Sequence, residues 1–154
     1  VTTRLDQLPG GPDSTARRVA ALERQLAELR AQGADLTAAD ALLPPLDADT
    51  TRWPQTTSGS FVTISRSYNL RWGSQLRLWL ATAVGASTTG TVRVLIDNLT
   101  QFGPTTVAGQ PFDYTGPLPA SIPIGGQYQI SVQAVRSSGG GAVSAQAQLI
   151  RSII

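Results

Sequence analysis

Between residues 50 and 154 the chain carries two carboxylates, Asp97 and Asp113. Two carboxylates are what glycoside hydrolysis needs, one as acid and one as base or nucleophile, with their separation selecting the stereochemical outcome. Here they fall on or beside different expected strands, and no motif surrounds either one. Each is more simply a strand-end or turn residue. Asp97 with Asn98, or Asp47 with Asp49, offers oxygen ligands of the kind Ca²⁺ takes, but without EF-hand-like spacing. Gly139-Gly140-Gly141 lacks the Lys that follows in a phosphate loop. The chain has no Cys and no His. That removes Cys nucleophiles, Ser-His-Asp triads, disulfides and zinc sites built on those ligands. The expectation is a protein that is not an enzyme, with no catalytic residue, no metal and no cofactor.

One cluster does suit binding chemistry. Tyr68, Asn69, Arg71 and Trp72 fall in an expected loop between two strands. Aromatic rings beside amide and guanidinium groups fit the face and hydroxyls of a sugar, so these four are candidate glycan contacts. Packing in a core or interface is the other reading of Trp72, and the expected role of Trp79. All twelve cationic residues are Arg, a side chain suited to bidentate recognition. Residues 1–49 hold five Arg against eight acids, a net charge of −3, and residues 50–154 hold seven Arg against two acids, a net charge of +5. The arginines of the basic part are scattered along the expected strands, so nucleic acid is not an expected partner.

The elements that would position these residues fall into four segments. Residues 1–13 form an arm, with Leu5 and Leu8 as apolar anchors before the break at Pro9-Gly10-Gly11-Pro12. Residues 14–33 form a helix rich in Ala, Leu, Arg, Glu and Gln, the strongest helix formers, with Gly33 as its stop. Its apolar residues Val19, Leu22, Leu26 and Leu29 are spaced three, four and three apart, the a/d seam of a coiled coil. Arg18 then falls at g and Glu23 at the following e, positions that form interchain salt bridges between parallel helices. Two heptads are too few to associate alone, so the rest of the chain must associate too. Val at one a position with Leu elsewhere leaves dimer and trimer both open.

Residues 34–58 read as a linker. It holds Thr37-Ala38-Ala39-Asp40 as a capping box for one helical turn, then Pro44-Pro45, then a polar surface stretch. Leu42, Leu43 and Leu46 are expected to be buried. Residues 59–154 read as strands: Phe61–Ser65, Gln75–Val84, Thr91–Asp97, a less regular part around Phe102, Val107, Phe112 and Tyr114, then Gln127–Arg136 and Ala142–Ile150. The period-2 alternation is clearest at Leu76, Leu78 and Leu80 against Arg77, Trp79 and Ala81. The last two strands, joined through Ser-Ser-Gly-Gly-Gly, are expected to form a hairpin. The fold class expected is mainly β: an antiparallel β-sandwich, jelly-roll-like, preceded by a short N-terminal coiled-coil α-helix. No stretch approaches the roughly 20 apolar residues needed to span a bilayer, and the polar start carries no secretory signal.

Thr2-Thr3-Arg4-Leu5-Asp6-Gln7-Leu8-Pro9, followed by Arg17-Arg18-Val19-Ala20-Ala21-Leu22-Glu23-Arg24-Gln25-Leu26-Ala27-Glu28-Leu29-Arg30, resembles the start of small minor tail or fibre-like virion proteins of tailed phages infecting actinobacteria. The Lys-free, Arg- and Ala-rich style is similar as well. The resemblance covers about the first 35 residues and the two-part layout, without the repeated shaft of long fibres. It implies a structural virion protein on the particle surface, assembled in the host cytoplasm. It further implies a homotrimer through the helix, docking of Leu5 and Leu8 on other virion proteins, and an outward β-domain. That β-domain would either bind a host-surface glycan or brace the particle. A free-standing bacterial carbohydrate-binding or adhesin module is the alternative.

Overall fold

A computed structural model describes residues 12–38, 41–42 and 46–153 of the chain. They fall into two compact units, one up to Ala39 and the other from Asp40 onward. The described part of the first unit is a helix, α1, over Pro12–Ala38. It starts on Pro12, whose fixed φ suits a first helical turn. It is longer than the sequence suggests, because Gly33 lies inside it and does not end it. A helical glycine costs only about 1 kcal/mol relative to alanine, and Ala31, Ala34, Leu36 and Ala38 around it are helix formers. The expected capping box at Thr37 therefore starts no new helix.

The second unit is mainly β, with ten strands in two antiparallel sheets. The strands are β1 (Ala41–Leu42), β2 (Gln55–Thr56), β3 (Val62–Leu70), β4 (Gln75–Val84), β5 (Thr89–Ile96), β6 (Thr100–Gln101), β7 (Thr106–Val107), β8 (Phe112–Pro117), β9 (Gln127–Ser138) and β10 (Val143–Ile153). One sheet runs β1-β10-β4-β8, with β2 also on β10; the other runs β3-β9-β5-β6, with β7 also on β5. The pairs are nested in the chain: β2 with β10, β3 with β9, β4 with β8, and β5 with β6 and β7.

Strand β4 explains why the layers adhere. Leu76, Leu78 and Leu80 are fully buried, as are Val92 and Val94 of β5 in the other sheet, and all belong to one core cluster with Phe112, Tyr128 and Ile130. Period-2 alternation puts the intervening Arg77 and Trp79 on the outward face. Trp79 is half-buried there, opposite Asp113 on one side and Leu149 on the other.

The structure alters two expectations here. The segment read as a linker contributes β1 and β2, both paired with β10. Between them lies a short 3-10 turn, Thr50–Arg52, capped by Asp49. Trp53 is buried in this supposedly surface stretch, its indole N–H donating to the Asp47 carbonyl at 2.9 Å. Leu46, expected to be buried against the sandwich or against a partner, is exposed on this chain and so does not pack in the sandwich. Leu43 and Pro44-Pro45 lie outside the described residues, as does the side chain of Leu42.

Strands β9 and β10 do not form a hairpin either, because they lie in different sheets. The glycines between them carry the chain from one layer to the other. Gly139 has φ +85°, and a Cβ there would collide with the Ser87 carbonyl. The Gly141 N–H donates to Thr88 Oγ1 at 2.8 Å, tying this crossing to the β4–β5 turn. Only glycine takes such a left-handed, closely approached position without strain.

Candidate functional site

The chemistry-bearing residues found in the sequence are mostly engaged in holding the fold. Asp113 on β8 receives both arms of the Arg77 guanidinium, at 3.2 and 3.1 Å. Asp97 sits in the β5–β6 turn with φ 51° and accepts the Gln129 N–H at 2.8 Å. Asp113 lies on a strand of one sheet and Asp97 in a turn of the other. Asp47 and Asp49 both bridge to Arg52. Asp49 Oδ1 accepts the Thr51 hydroxyl at 2.6 Å and its N–H at 3.0 Å. Those bonds, the hydroxyl first, hold the Asp49 carboxyl below its ordinary pKa. Among the described residues there is no group of three His, Cys, Asp or Glu side chains placed to hold a metal. No described helix is long and apolar enough to cross a membrane.

Two exposed features remain. The first is on α1. Val19, Leu22, Leu26 and Leu29 are all exposed, between 48% and 64%. Arg18 and Glu23 beside them are exposed too. Leu5 and Leu8 of the expected docking arm lie outside the described residues.

The second is the outward face of β3. This strand continues past Ser65 to Leu70, taking in residues that the sequence reading assigned to a loop. After an irregularity between Thr63 and Ser65, Arg66, Tyr68 and Leu70 pair with Ser131, Gln129 and Gln127 of β9. These face away from the core. Ser65, Ser67 and Asn69 face inward, opposite the buried Val132, Ile130 and Tyr128. Arg66, Tyr68 and Leu70 are accordingly exposed, Tyr68 at 66%. Beyond the strand, the Arg71 N–H donates to the Gly126 carbonyl at 2.9 Å and the Gly125 N–H to the Arg71 carbonyl at 2.7 Å. These bonds dock the 119–126 loop beside the strand end. Trp72 follows at 65% exposure, with Ile124 of the docked loop at 68%.

The four predicted glycan contacts therefore separate into two pairs. Tyr68, on the same face of β3 as Leu70, and Trp72, beyond the strand end, are both presented to solvent. Asn69 turns inward and donates to Ser67 Oγ at 3.2 Å. Arg71 is a structural clamp: its guanidinium donates to the carbonyls of Gly73 and Pro119, at 3.0 and 2.9 Å, and to that of Ile122. Sequence reasoning missed Arg66, Leu70 and Gln129. The inward Ser65, Ser67 and Asn69 are polar, so the period-2 signal that would have placed Arg66, Tyr68 and Leu70 on one face is weak.

Under this surface lies Tyr128, in the core cluster and 2% exposed. Burial pushes its phenol up to about 12, with the nearby Arg71 charge pulling the other way. Below about pH 10 the phenol is protonated both folded and unfolded, so it makes stability independent of pH there. Between pH 10 and about 12 the unfolded chain loses the proton while the folded chain keeps it, and stability falls by on the order of 2 kcal/mol. Urea midpoints measured from pH 9 to 11.5 should decline in the native chain. In Tyr128→Phe most of that decline should be absent.

Compared with protein-family models, with curated proteins and with solved structures, the chain gives no match.

Proposed function

We propose that this chain is a homo-oligomeric structural protein of a tailed-phage particle. It docks through its N-terminal segment, trimerises through α1 as a coiled coil, and presents an outward β-domain that binds a host-surface glycan. It has no catalytic role.

The observation that carries this reading is the exposure of Val19, Leu22, Leu26 and Leu29 at heptad spacing. Large apolar side chains recurring on one helix face are covered at little cost by identical neighbours, which bring the same stripe. The nested strand pairs support the finer fold assignment. Two antiparallel layers built by winding one long double ribbon, β2 on β10 through to β5 on β6 and β7, match a jelly-roll sandwich, an architecture used by viral and lectin domains. The exposed line of Tyr68 and Trp72 supports the glycan role over a purely bracing one. Trimeric order and the phage setting rest on the N-terminal resemblance.

Light scattering after size exclusion tests the reading on the full chain. The native protein is expected at three times the 16.2 kDa chain mass. A variant carrying Leu22→Asp and Leu26→Asp is expected to dissociate at concentrations where the native chain stays trimeric, because two charges per helix cannot be buried in an apolar seam. A native chain that stays monomeric at high micromolar concentration removes the coiled coil and the fibre-like assignment with it.

A further inference from the structure

We infer that the outward face of β3 is a binding stripe for an acidic polysaccharide, with Arg66 as the group that recognises the anionic substituent. This rests on the glycan role proposed above and narrows it to a ligand class.

Arg66, Tyr68 and Leu70 repeat every second residue on one face of β3, and the exposed Trp72 follows two residues beyond Leu70. At about 6.7 Å per two residues the stripe spans about 20 Å, the scale of an extended oligosaccharide rather than one sugar. Two exposed aromatic rings along it offer apolar faces to successive pyranose rings.

The charge argument comes from which groups lack partners. The β-domain holds seven arginines from Arg52 onward. Arg52 and Arg77 are ion-paired with carboxylates. Arg71 clamps the loop carbonyls, and Arg93 lies 3.9 Å over the Phe61 ring while donating to Gln133. Arg151 also has an interaction. Arg66 and Arg136 make no ion pair or side-chain hydrogen bond among the described residues. Only Arg66 lies in line with the aromatic rings.

In the neighbouring row, Gln129 opposite Tyr68 accepts from Asn98 Nδ2 at 3.3 Å, while its own Nε2 is buried without an acceptor among the described residues. On this face the Arg66 guanidinium is thus the one charged group without a partner among the described residues. A ligand that complements it is rich in acceptor oxygens, as a carboxylate or a phosphodiester is. Asp97 is exposed in the turn after β5, two strands from Tyr68, with Oδ1 accepting the Gln129 N–H. It makes no ion pair with Arg66 among the described residues. A nucleic acid would also meet aromatic rings and a cation, but one unpaired arginine is too few to hold a phosphate backbone at physiological salt.

Affinity electrophoresis of the full chain tests this, in gels containing polygalacturonate, a glycerol-phosphate teichoic acid or neutral dextran. At least one acidic polymer should retard the native protein, and dextran should not. The uronate and phosphodiester gels identify which anion is read. Arg66→Gln should weaken retardation at least about tenfold, as expected for loss of a charge-assisted bond. Trp72→Ala should weaken it several-fold. Arg136→Gln makes the same change in net charge away from the stripe and should leave retardation unchanged.

Equal retardation by dextran, with no effect of Arg66→Gln, overturns the acidic class while the glycan role stands. No retardation by any polymer overturns both. Displacement of the acidic polymer by a single-stranded oligonucleotide at lower concentration makes the stripe a nucleic-acid surface and overturns the inference. Because Arg66 and Trp72 are exposed, unchanged urea midpoints for these variants separate binding loss from misfolding.

Discussion

Leu76→Ala is expected to lower the stability of the β-domain by about 3–5 kcal/mol, the upper part of the range for removing a buried leucine. Leu78→Ala, the same chemical change two residues along the same strand, should cost less, about 2–3 kcal/mol. Both side chains are fully buried. They differ in what lies next to them. A cleft of about 250 Å³ opens between β3 and β10, lined by Pro54, Ser65, Ser67, Leu78, Leu80 and Ile150 among others, and Leu76 is not part of its wall. Truncating Leu76 leaves an enclosed apolar void, whose lining loses its dispersion contacts and gains nothing in return. Truncating Leu78 enlarges a space that already reaches the serines at the cleft mouth, where water finds polar partners. Tryptophan fluorescence in a urea titration reads this directly, because Trp53, Trp72 and Trp79, the three tryptophans of the chain, all lie in the β-domain. An equal or larger loss for Leu78→Ala would mean that the cleft wall is as tightly enclosed as the rest of the core.

The contrast between β4 and β3 shows what the sequence made legible. The bounds of β4 were readable to the residue, because Leu76, Leu78 and Leu80 alternate with Gln75, Arg77 and Trp79 and the same period runs on through Thr82 to Val84. A face that is fully buried writes its period into the chain. Strand β3 is an edge strand whose inward residues are Ser65, Ser67 and Asn69, so polar groups occur on both faces and the period loses its contrast. Tyr68 and Trp72 could be picked out by residue type. Their separation from Asn69 and Arg71 could not, since it depends on how far the strand runs. The false hairpin has a related cause. A glycine-rich turn between two alternating strands reads alike whether the strands pair or cross between layers. The choice is made by non-local partners, β3 and β5 for β9, β4 for β10. For α1 the heptad spacing was plain, but the end was not, because a single glycine weakens a helix by too little to stop it.

Arg71→Ala is expected to destabilise the β-domain by roughly 2–3 kcal/mol and to abolish the binding proposed along β3, although the Arg71 side chain is turned to the loop and not to that face. One guanidinium donates to three backbone carbonyls, those of Gly73, Pro119 and Ile122. Two of the three belong to the loop whose Gly125 and Gly126 also bond the Arg71 backbone. Without the side chain, those carbonyls lose a charged donor in a half-buried site, and the loop keeps only its main-chain bonds to the strand end. Trp72 is the next residue in the chain and Ile124 sits in that loop, so both apolar groups at this end of the stripe lose their fixed positions together. Arg71→Lys should behave nearly as badly as Arg71→Ala, since a single ammonium on a flexible stem cannot reproduce a planar fork reaching several acceptors. Urea midpoints give the stability loss. Affinity electrophoresis gives the binding loss, and the two together separate this residue from Arg66. Arg66→Gln should lose binding at unchanged stability; Arg71→Lys should lose both. An Arg71→Lys variant with native stability and native retardation would mean that the loop is held by its backbone bonds alone, and that the clamp has no part in shaping the surface.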